Sequence, residues 1–345
     1  MRALHRGRQK RPGPSERAAH QRRLPQISVV RDKPRPVGDH VDSGAPMSTN
    51  RRIYLDFNAT APLVPAARDA MVEAMADVGN PSSVHAEGRR MRDRVERARN
   101  QVAALVGRPR EQIVFTSGGT EANWLGVMGL AAAAEQRGLP KVVATTPIEH
   151  PSLAGAVDAL VQRGWVRAPH GSALPDELGL LAVGLVNHEL GTMFPRETIM
   201  QAHGRGAFVH LDAVQAAGKL ALQQIAADSI AISAHKIGGP QGVGALAISV
   251  DDGLPIIEAG HQERGRRPGT ENTLGIVGFG AAAAAIDLAA GSAVGSYERL
   301  ASWMPVALLG EQLANRIGAM HGARVYAVHS HSVGGTINAA WSGAL

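Results

Sequence analysis

Lys236 lies in the segment Ser233-Ala-His-Lys-Ile-Gly-Gly239, between an apolar strand pattern and a glycine-rich loop. A lysine whose pKa is lowered by a neighbouring cation is a nucleophilic amine that can form an imine with a carbonyl compound. A surface position is the commoner place for a lysine, but the apolar residues before this one disfavour it. The pattern therefore predicts that Lys236 holds a carbonyl ligand as a Schiff base.

An aspartate ends another apolar pattern, in His210-Leu-Asp-Ala-Val-Gln215. A buried carboxylate needs a cationic partner. For Asp212 the protonated ring nitrogen of pyridoxal 5'-phosphate (PLP) is such a partner, and the pairing keeps the ring able to withdraw electrons. An arginine partner or a helix cap is the commoner alternative. Gln215 is placed to donate to the phenolic oxygen of the same ring, and together with Lys236 these residues favour PLP as the cofactor.

The strand-to-helix turn Thr116-Ser-Gly-Gly-Thr-Glu-Ala-Asn123 offers a phosphate site. Gly119 lets backbone N–H groups approach an anion at a helix N-terminus, and Thr120 adds a hydroxyl. Ser233 and His235 are placed to reach the same phosphate from the turn that carries the lysine. For the glycine-rich segment alone, a tight turn without a ligand is the alternative.

His150 follows a strand pattern and could stack on a flat cofactor and move protons, although a lone histidine is more often structural. The polar, glycine-rich stretch Gly260–Asn272 is typical of a ligand or interface loop, or else of a solvated one. His188-Glu189 lacks the second histidine of a zinc-binding helix, and the sequence contains neither a P-loop nor a dinucleotide fingerprint. We therefore expect no metal site.

From Ile53 onward short apolar runs alternate with helical patterns, which predicts an α/β fold with a mostly parallel central sheet and flanking helices. The chemistry-bearing residues each follow a strand, and ligands of such sheets lie at the carboxyl ends of the strands. The sequence thus predicts one composite site. The predicted strands are Gln112–Thr116, Lys141–Thr145, Ala182–Asn187, Ala207–Asp212, Ser229–Ser233 and Gly244–Ser249, and the predicted helices include Val84–Val106, Thr120–Gln136 and Ser152–Arg163.

Composition narrows the function classes. The 345 residues include no cysteine, which excludes disulfides, thiolate metal ligands and a cysteine nucleophile among them. Aromatic residues make up only 3%, which disfavours stacking platforms for single-stranded nucleic acid. No run approaches the length of about 18 apolar residues that a membrane span requires.

Positive charge is concentrated in residues 1–46, which hold eleven Lys/Arg and four Asp/Glu, whereas the rest of the chain is close to neutral. This Arg- and Pro-rich stretch predicts a disordered basic tail extending to about residue 52. A nucleic-acid arm and an organelle transit peptide are the functional interpretations. We favour a start at Met47 with an over-extended gene start before it, because the tail lacks an amphipathic run.

Taken as a set, these segments resemble the cysteine desulfurase family, within class V of the fold-type I PLP enzymes. The resemblance runs from Ile53 to about Leu300. It implies a fold-type I architecture and an enzyme that takes sulfur from L-cysteine, leaves L-alanine and supplies iron–sulfur cluster assembly or related pathways. The motifs that carry it stand in the family's order at Ile53–Pro62, Asn80–His85, Thr116–Asn123, Asp212–Gln215, Ser233–Lys236 and Arg267–Asn272.

The resemblance also implies a role for each matching residue. Lys236 would carry the cofactor, and His150 would stack on its ring and assist proton transfer as the second catalytic residue. Thr270 would reach the phosphate of the neighbouring subunit, which implies a homodimer. A sulfur acceptor or an iron–sulfur scaffold protein would be a further partner. The implied cofactor-binding residues are Gly119, Thr120, His150, Asp212, Gln215, Ser233, His235, Lys236 and Thr270, with Asn187 and His188 as further contacts to cofactor or substrate.

Two departures from the family pattern bear on activity. His188 stands where the family generally has a second asparagine, which affects substrate positioning more than cofactor binding. The family's persulfide-forming cysteine and carboxylate-binding arginine belong to a later segment than the one that ends at Leu345. We therefore expect a homologue that is C-terminally incomplete or degenerate. The alternatives are a selenocysteine lyase or another class V lyase or aminotransferase, and an inactive homologue that serves as a dimer partner.

The expected organisation is a basic tail over 1–52, a large PLP-binding domain over 64–290, and an incomplete small α+β domain made of 53–63 and 291–345. We expect a cytoplasmic location, an L-cysteine-like substrate, and neither a membrane segment nor a nucleic-acid partner.

Overall fold

The computed structural model describes residues 53–169, 171, 173–250, 260–294, 296–326 and 332–341. The predicted basic tail lies outside the described residues, and from Tyr54 onward the chain forms one compact unit. Its centre is a sheet of seven strands, which in chain order are β1 (Ile113–Thr116), β2 (Val142–Ala144), β3 (Val166–Arg167), β4 (Leu180–Gly184), β5 (Phe208–Asp212), β6 (Ser229–Ser233) and β7 (Gly244–Ile248).

The strands lie side by side in the order β1-β7-β6-β5-β4-β2-β3. β7 pairs antiparallel with β1 and with β6, and every other pair of neighbours is parallel. The mostly parallel α/β sheet that the sequence predicted is therefore confirmed. The register places Gly184, at the end of β4, opposite Asp212, at the end of β5, so two predicted site strands end side by side.

Helices cover both faces of the sheet. Their bounds are α1 (Pro65–Ala74), α2 (Ala86–Val106), α3 (Gly119–Gln136), α4 (Pro151–Gln162), α5 (Arg196–Gly204), α6 (Thr273–Ala284) and α7 (Met304–Gly318). Successive strand residues point to opposite faces, so the apolar residues of the strands feed two separate cores. Ile230 and Ile232 of β6 pack in the core shared with α2 and α6, whereas Ala231 between them packs in the core shared with α3 and α4.

The remaining described strands lie after α6 and outside the central sheet. β8 (Ala290–Val294) and β9 (Tyr297–Leu300) form an antiparallel pair, and β10 (Ala323–Val325) pairs antiparallel with β11 (Ala339–Trp341). This is the region that the sequence assigned to an incomplete small domain. That domain division stays a prediction.

One strand lies earlier in the chain than the sequence predicted. β4 ends at Gly184, although the expected strand ran over Ala182–Asn187. Leu185 and Val186 are apolar and buried, so the hydrophobic pattern continues after the chain has left the sheet. Val186 instead bridges Met193 across a short turn. The predicted strand was therefore too long at its C-terminal end, because the apolar pattern continues past the last residue that pairs in the sheet.

None of the helices within the described residues is long and apolar enough to cross a membrane.

Candidate active site

A cavity of about 510 Å³ opens at the carboxyl ends of β4, β5 and β6. Thr270 is the one predicted site residue that does not line it, and its predicted contact with a neighbouring subunit stays a prediction. The other ten predicted residues all contribute to the wall: Gly119, Thr120, His150, Asn187, His188, Asp212, Gln215, Ser233, His235 and Lys236.

Lys236 ends a single turn of 3₁₀ helix, Ala234–Lys236, that follows β6 directly. The glycine-rich loop after it folds back closely, because a Cβ at Gly239 would lie 2.9 Å from the Cβ of Ala234. The Lys236 ammonium donates to the backbone carbonyls of Asn58 and Ala59, the latter at 3.0 Å. Burial lowers the pKa of Lys236, against the opposing effect of Asp212 and Asp56. The pKa is thus lowered by burial, whereas the sequence analysis assigned the effect to a neighbouring cation. The attachment of a ligand to Lys236 stays a prediction.

Asp212 is the last residue of β5 and is only 8% exposed. Its Oδ1 accepts from the backbone N–H of Val214 at 3.0 Å, and its Oδ2 accepts from Asn123 Nδ2 at 2.7 Å. Among the described residues, no lysine or arginine lies within ion-pair distance of this carboxylate. The arginine partner considered from sequence is therefore not found there. A buried carboxylate facing a cavity in this way suits a cationic ligand atom.

Behind Asp212 lies a buried polar chain that the sequence analysis missed. The Asn123 side chain also meets His210 Nε2, at 3.1 Å from its Oδ1, and His210 Nδ1 lies 2.7 Å from Ser229 Oγ. Complete burial lowers the pKa of His210 to about 3, so this imidazole is neutral at physiological pH. The only signals in the sequence were a single amide, Asn123, within an apolar helix pattern and a single histidine, His210, within an apolar strand pattern.

His150 is the N-cap residue of α4. Its Nδ1 accepts from the backbone N–H of Ser152 at 3.2 Å and lies 2.7 Å from the hydroxyl of the same residue. The His188 ring stands edge-on to it, with centroids 5.2 Å apart. Burial lowers the pKa of His150, Asp212 opposes the change, and His188 and Lys236 add to it. The neutral imidazole is thereby favoured.

The predicted phosphate end of the site is formed by the start of α3. No side chain caps that helix, so its first N–H groups have no side-chain partner. Gly119 is required there because a Cβ would lie 2.7 Å from Val214 Cγ2. Ser233 is 3% exposed, and His235 Nδ1 lies 3.1 Å from the Thr60 hydroxyl, a partner that sequence reasoning did not find.

The side chain of Gln215 is held by two residues, Asn58 and Lys219, that the sequence analysis did not single out. Its Nε2 donates to the carbonyl of Asn58 at 3.0 Å, and its Oε1 accepts from Lys219 Nζ at 3.0 Å. Lys219 is 7% exposed and lies over the ring of Trp303 at 5.0 Å. Burial lowers the pKa of Lys219 to about 8, and the charge of Lys236 adds to the effect. Lys219 is thus a second lysine with a lowered pKa, and it contacts the predicted site residue Gln215.

The predicted contact of Asn187 with a ligand meets competition from the backbone. Its Nδ2 donates to the carbonyl of Ile148 at 2.8 Å, and its Oδ1 accepts from the N–H groups of Glu189 and Leu190 at 3.0 and 2.8 Å. The side chain therefore shapes the loop that carries His188, which itself lines the cavity.

Glu149 is a further cavity residue that the sequence analysis did not single out. Its carboxylate accepts from Thr146 Oγ1 at 2.6 Å and from the backbone N–H of Gly184 at 2.8 Å. Burial raises the pKa of Glu149 despite these hydrogen bonds, and the nearby charge of Asp212 raises it further.

These groups fit PLP. The cavity has an amine with a lowered pKa, a buried carboxylate without a described cationic partner, and an uncapped helix N-terminus beside a threonine and a serine. The three features match the aldehyde, the pyridine nitrogen and the phosphate of the cofactor, respectively.

Comparisons with known proteins agree with this geometry. The family model for class-V aminotransferases matches residues 53–331. A cysteine desulfurase of Enterobacter agglomerans is 38% identical over 257 residues, which cover 69% of this chain and 63% of the relative. One from a Nostoc species is 40% identical over 249 residues, or 67% of this chain and 62% of the relative. The crystal structure of DndA from Streptomyces lividans superposes with a TM-score of 0.67 at 30% identity, covering 79% of each chain.

The chain spans less than two thirds of the length of these curated relatives. The architecture is nevertheless that of the fold-type I PLP enzymes, as expected from sequence. The chain belongs to the class-V aminotransferase family, a family of PLP-dependent enzymes, and its relatives within that family are cysteine desulfurases.

Proposed function

We propose that this chain forms the PLP-binding part of a cysteine desulfurase, which converts L-cysteine to L-alanine and passes the sulfur to an acceptor. The observation that supports it most directly is the shared cavity of Lys236 and Asp212. One group is an amine with a lowered pKa, and the other is a buried carboxylate with no lysine or arginine within ion-pair distance among the described residues. Desulfurases among the relatives agree with this assignment.

Each residue of the site has a defined task in the proposal. Lys236 attaches the cofactor, and its lowered pKa favours the neutral amine that attachment requires. Asp212 pairs with the pyridine nitrogen and Gln215 donates to the ring oxygen. The phosphate group is bound by Gly119, Thr120, Ser233 and His235. When bound, PLP supplies an electron sink for the substrate carbon atoms.

The sulfur acceptor has to come from outside these 345 residues, because they contain no cysteine. A desulfurase passes sulfur to a thiolate nucleophile. For the same reason a lyase that releases sulfide or selenide directly, such as a selenocysteine lyase, is the second candidate. A catalytically inactive homologue acting as a dimer partner is the third.

The wider biological setting is part of the same proposal. It comprises a homodimer in which Thr270 reaches the neighbouring site, a role in iron–sulfur cluster assembly with a scaffold or acceptor protein, and a cytoplasmic location. The resemblance of the sequence motifs to the cysteine desulfurase family is what suggests these points.

The test is turnover of L-cysteine by the purified chain loaded with PLP, with and without dithiothreitol as an external thiol. With dithiothreitol we expect alanine and sulfide in equal amounts, because the thiol accepts the sulfur and its oxidation to the disulfide supplies the two electrons that release sulfide. Without the thiol we expect little of either product. Lys236→Ala should abolish both products, whereas Lys141→Gln, which changes an exposed lysine paired with Glu135, should leave them unchanged. Alanine and sulfide formation that survives in Lys236→Ala would contradict the assignment. No products from the unaltered chain would favour the inactive homologue.

A further inference from the structure

A continuous series of side-chain hydrogen bonds joins His150 to Asp212 across the back of the cavity. His150 Nδ1 lies 2.7 Å from Ser152 Oγ, and Asn123 Nδ2 donates both to Ser152 Oγ at 2.9 Å and to Asp212 Oδ2 at 2.7 Å. His150 and Asp212, which are both predicted to contact the cofactor, are therefore connected through Ser152 and Asn123, for which no cofactor contact was predicted. The hydrogen positions along this series can be worked out from which atoms are able to donate.

The carboxylate end fixes the first orientation. Asp212 Oδ2 can only accept, so the amide nitrogen of Asn123 must face it and the amide oxygen must face His210. His210 then donates from Nε2, and its Nδ1 accepts from the Ser229 hydroxyl. The pKa of His210 near 3 agrees with this arrangement, since a neutral imidazole has one donor and one acceptor nitrogen.

The hydrogen positions between Asn123 and His150 follow from the same donor and acceptor rules. The second amide hydrogen of Asn123 points to Ser152 Oγ, so the serine oxygen accepts there and its own hydrogen is free to point to His150 Nδ1. The backbone N–H of Ser152 also points to Nδ1, at 3.2 Å. Two donors thus converge on one ring nitrogen, and Nδ1 must hold a lone pair. The hydrogen of neutral His150 is therefore on Nε2.

We propose that His150 is held as the neutral tautomer with its hydrogen on Nε2, which makes that nitrogen a hydrogen-bond donor for a ligand in the cavity. Ser152 and Asn123 are positioning residues that fix its tautomer. This inference rests on the proposed function for the identity of the ligand. It also refines the sequence prediction that His150 moves protons. In this tautomer Nε2 can give its hydrogen to a ligand, whereas Nδ1 is engaged by Ser152.

The surroundings of His150 oppose the charged imidazolium. Protonation would place an N–H on Nδ1 against the N–H of Ser152, at the positive end of the α4 dipole. The charged or titratable groups that face the ring are Asp212, His188 and Lys236, of which only Asp212 favours the cation. Glu149 precedes His150 and has its carboxylate turned to Thr146 and Gly184.

The chain contains a natural contrast at the start of another helix. His85 is the N-cap residue of α2, and its Nδ1 lies 3.0 Å from a carboxylate oxygen of Glu87. The same Nδ1 also accepts from the backbone N–H of Gly88 at 3.3 Å, so the contacts of His85 do not select one tautomer. His150 differs from His85 in that, among the described residues, no carboxylate lies beside its Nδ1, where the hydroxyl and the backbone N–H of Ser152 are found.

The test is ¹⁵N NMR of the imidazole nitrogens in the full chain labelled on histidine, recorded with and without PLP. His150→Gln and His85→Gln identify the two sets of signals. We expect a lone-pair type of signal for His150 Nδ1 and an N–H type for His150 Nε2. Ser152→Ala, which removes one donor, should raise the pKa of His150, and Ser152→Thr, which restores a hydroxyl, should bring it back.

An N–H signal at His150 Nδ1 in the unaltered chain would overturn the proposal, as would a His150 titration that Ser152→Ala does not move. The signals of His210 and His85 show in the same spectra whether each variant is folded. Binding of PLP is measured separately by absorbance. A failed tautomer assignment with intact PLP binding is therefore distinguishable from a failure of the proposed function.

Discussion

Arg99 and Glu263 form a buried ion pair, with guanidinium nitrogens 2.7 and 2.8 Å from the two carboxylate oxygens. Their side chains are 6% and 2% exposed, and the same carboxylate accepts from the N–H of Phe115 at 3.0 Å. Glu263 adopts a positive φ of 46°, which is unusual for a residue other than glycine. The pair therefore anchors a strained turn in the loop that continues to Thr270.

Removing one partner of this pair should destabilise the fold strongly. For Arg99→Met we expect a loss of about 3–5 kcal/mol in the free energy of unfolding, because Glu263 is left buried and charged. Urea denaturation followed by circular dichroism measures it. Arg68→Met, which removes the exposed partner of Asp69, is the control and should change little. If the two variants have equal stability, the ion pair does not anchor the turn.

Gly126 of α3 should not tolerate a side chain, because a Cβ there would lie 2.5 Å from the ring of His210. We expect Gly126→Ala to lower the free energy of unfolding by about 1–3 kcal/mol and to weaken PLP binding by displacing the ring from Asn123. Gly155→Ala is the matched control in α4, since a Cβ there meets nothing within 4 Å. That change should stabilise the fold by up to about 1 kcal/mol. Equal melting temperatures for the two variants would contradict the predicted crowding.

Lys219 should make stability rise with pH in the alkaline range. Its pKa is about 8 in the fold against 10.5 ordinarily, so between those values the unfolded chain binds more protons than the folded one. Relative to Lys219→Met, the unaltered chain should gain about 1–3 kcal/mol between pH 7.5 and pH 10. Urea denaturation of both proteins at the two pH values measures this gain. A difference between them that does not depend on pH would show that Lys219 keeps its ordinary pKa.

Asp212→Asn should retain the fold but lower turnover on the order of 100-fold, because the amide cannot hold the ring nitrogen in its protonated form. Steady-state kinetics with L-cysteine measures the effect. Asp158→Asn, at an exposed aspartate of α4 paired with Arg167, is the control and should leave turnover unchanged. Unchanged turnover in Asp212→Asn would exclude the proposed pairing.

The sequence predicted which residues at strand ends line the cavity, but it did not predict the residues that hydrogen-bond to them. Lys236, Asp212 and His150 were found because each follows an apolar run, and the parallel sheet brings such ends together. Asn58 and Lys219 were missed because their positions depend on contacts between segments far apart in the chain. No local pattern determines such contacts.

Asn187 illustrates a different limit of the sequence. Its position beside the cavity was predicted, but the direction of its amide was not. Two backbone N–H groups and one backbone carbonyl engage that amide within the loop itself. Such local competition between backbone and ligand becomes visible only once the loop has folded.

The central claim is that Lys236 is the residue that binds PLP covalently, and peptide mapping tests it most directly. The full chain is incubated with PLP, reduced with borohydride and digested, and the modified lysine is located by mass spectrometry. We predict a phosphopyridoxyl group on Lys236 and none on Lys219, although both lysines have a lowered pKa. Modification of Lys219 instead, or an unmodified Lys236 peptide, would contradict the account.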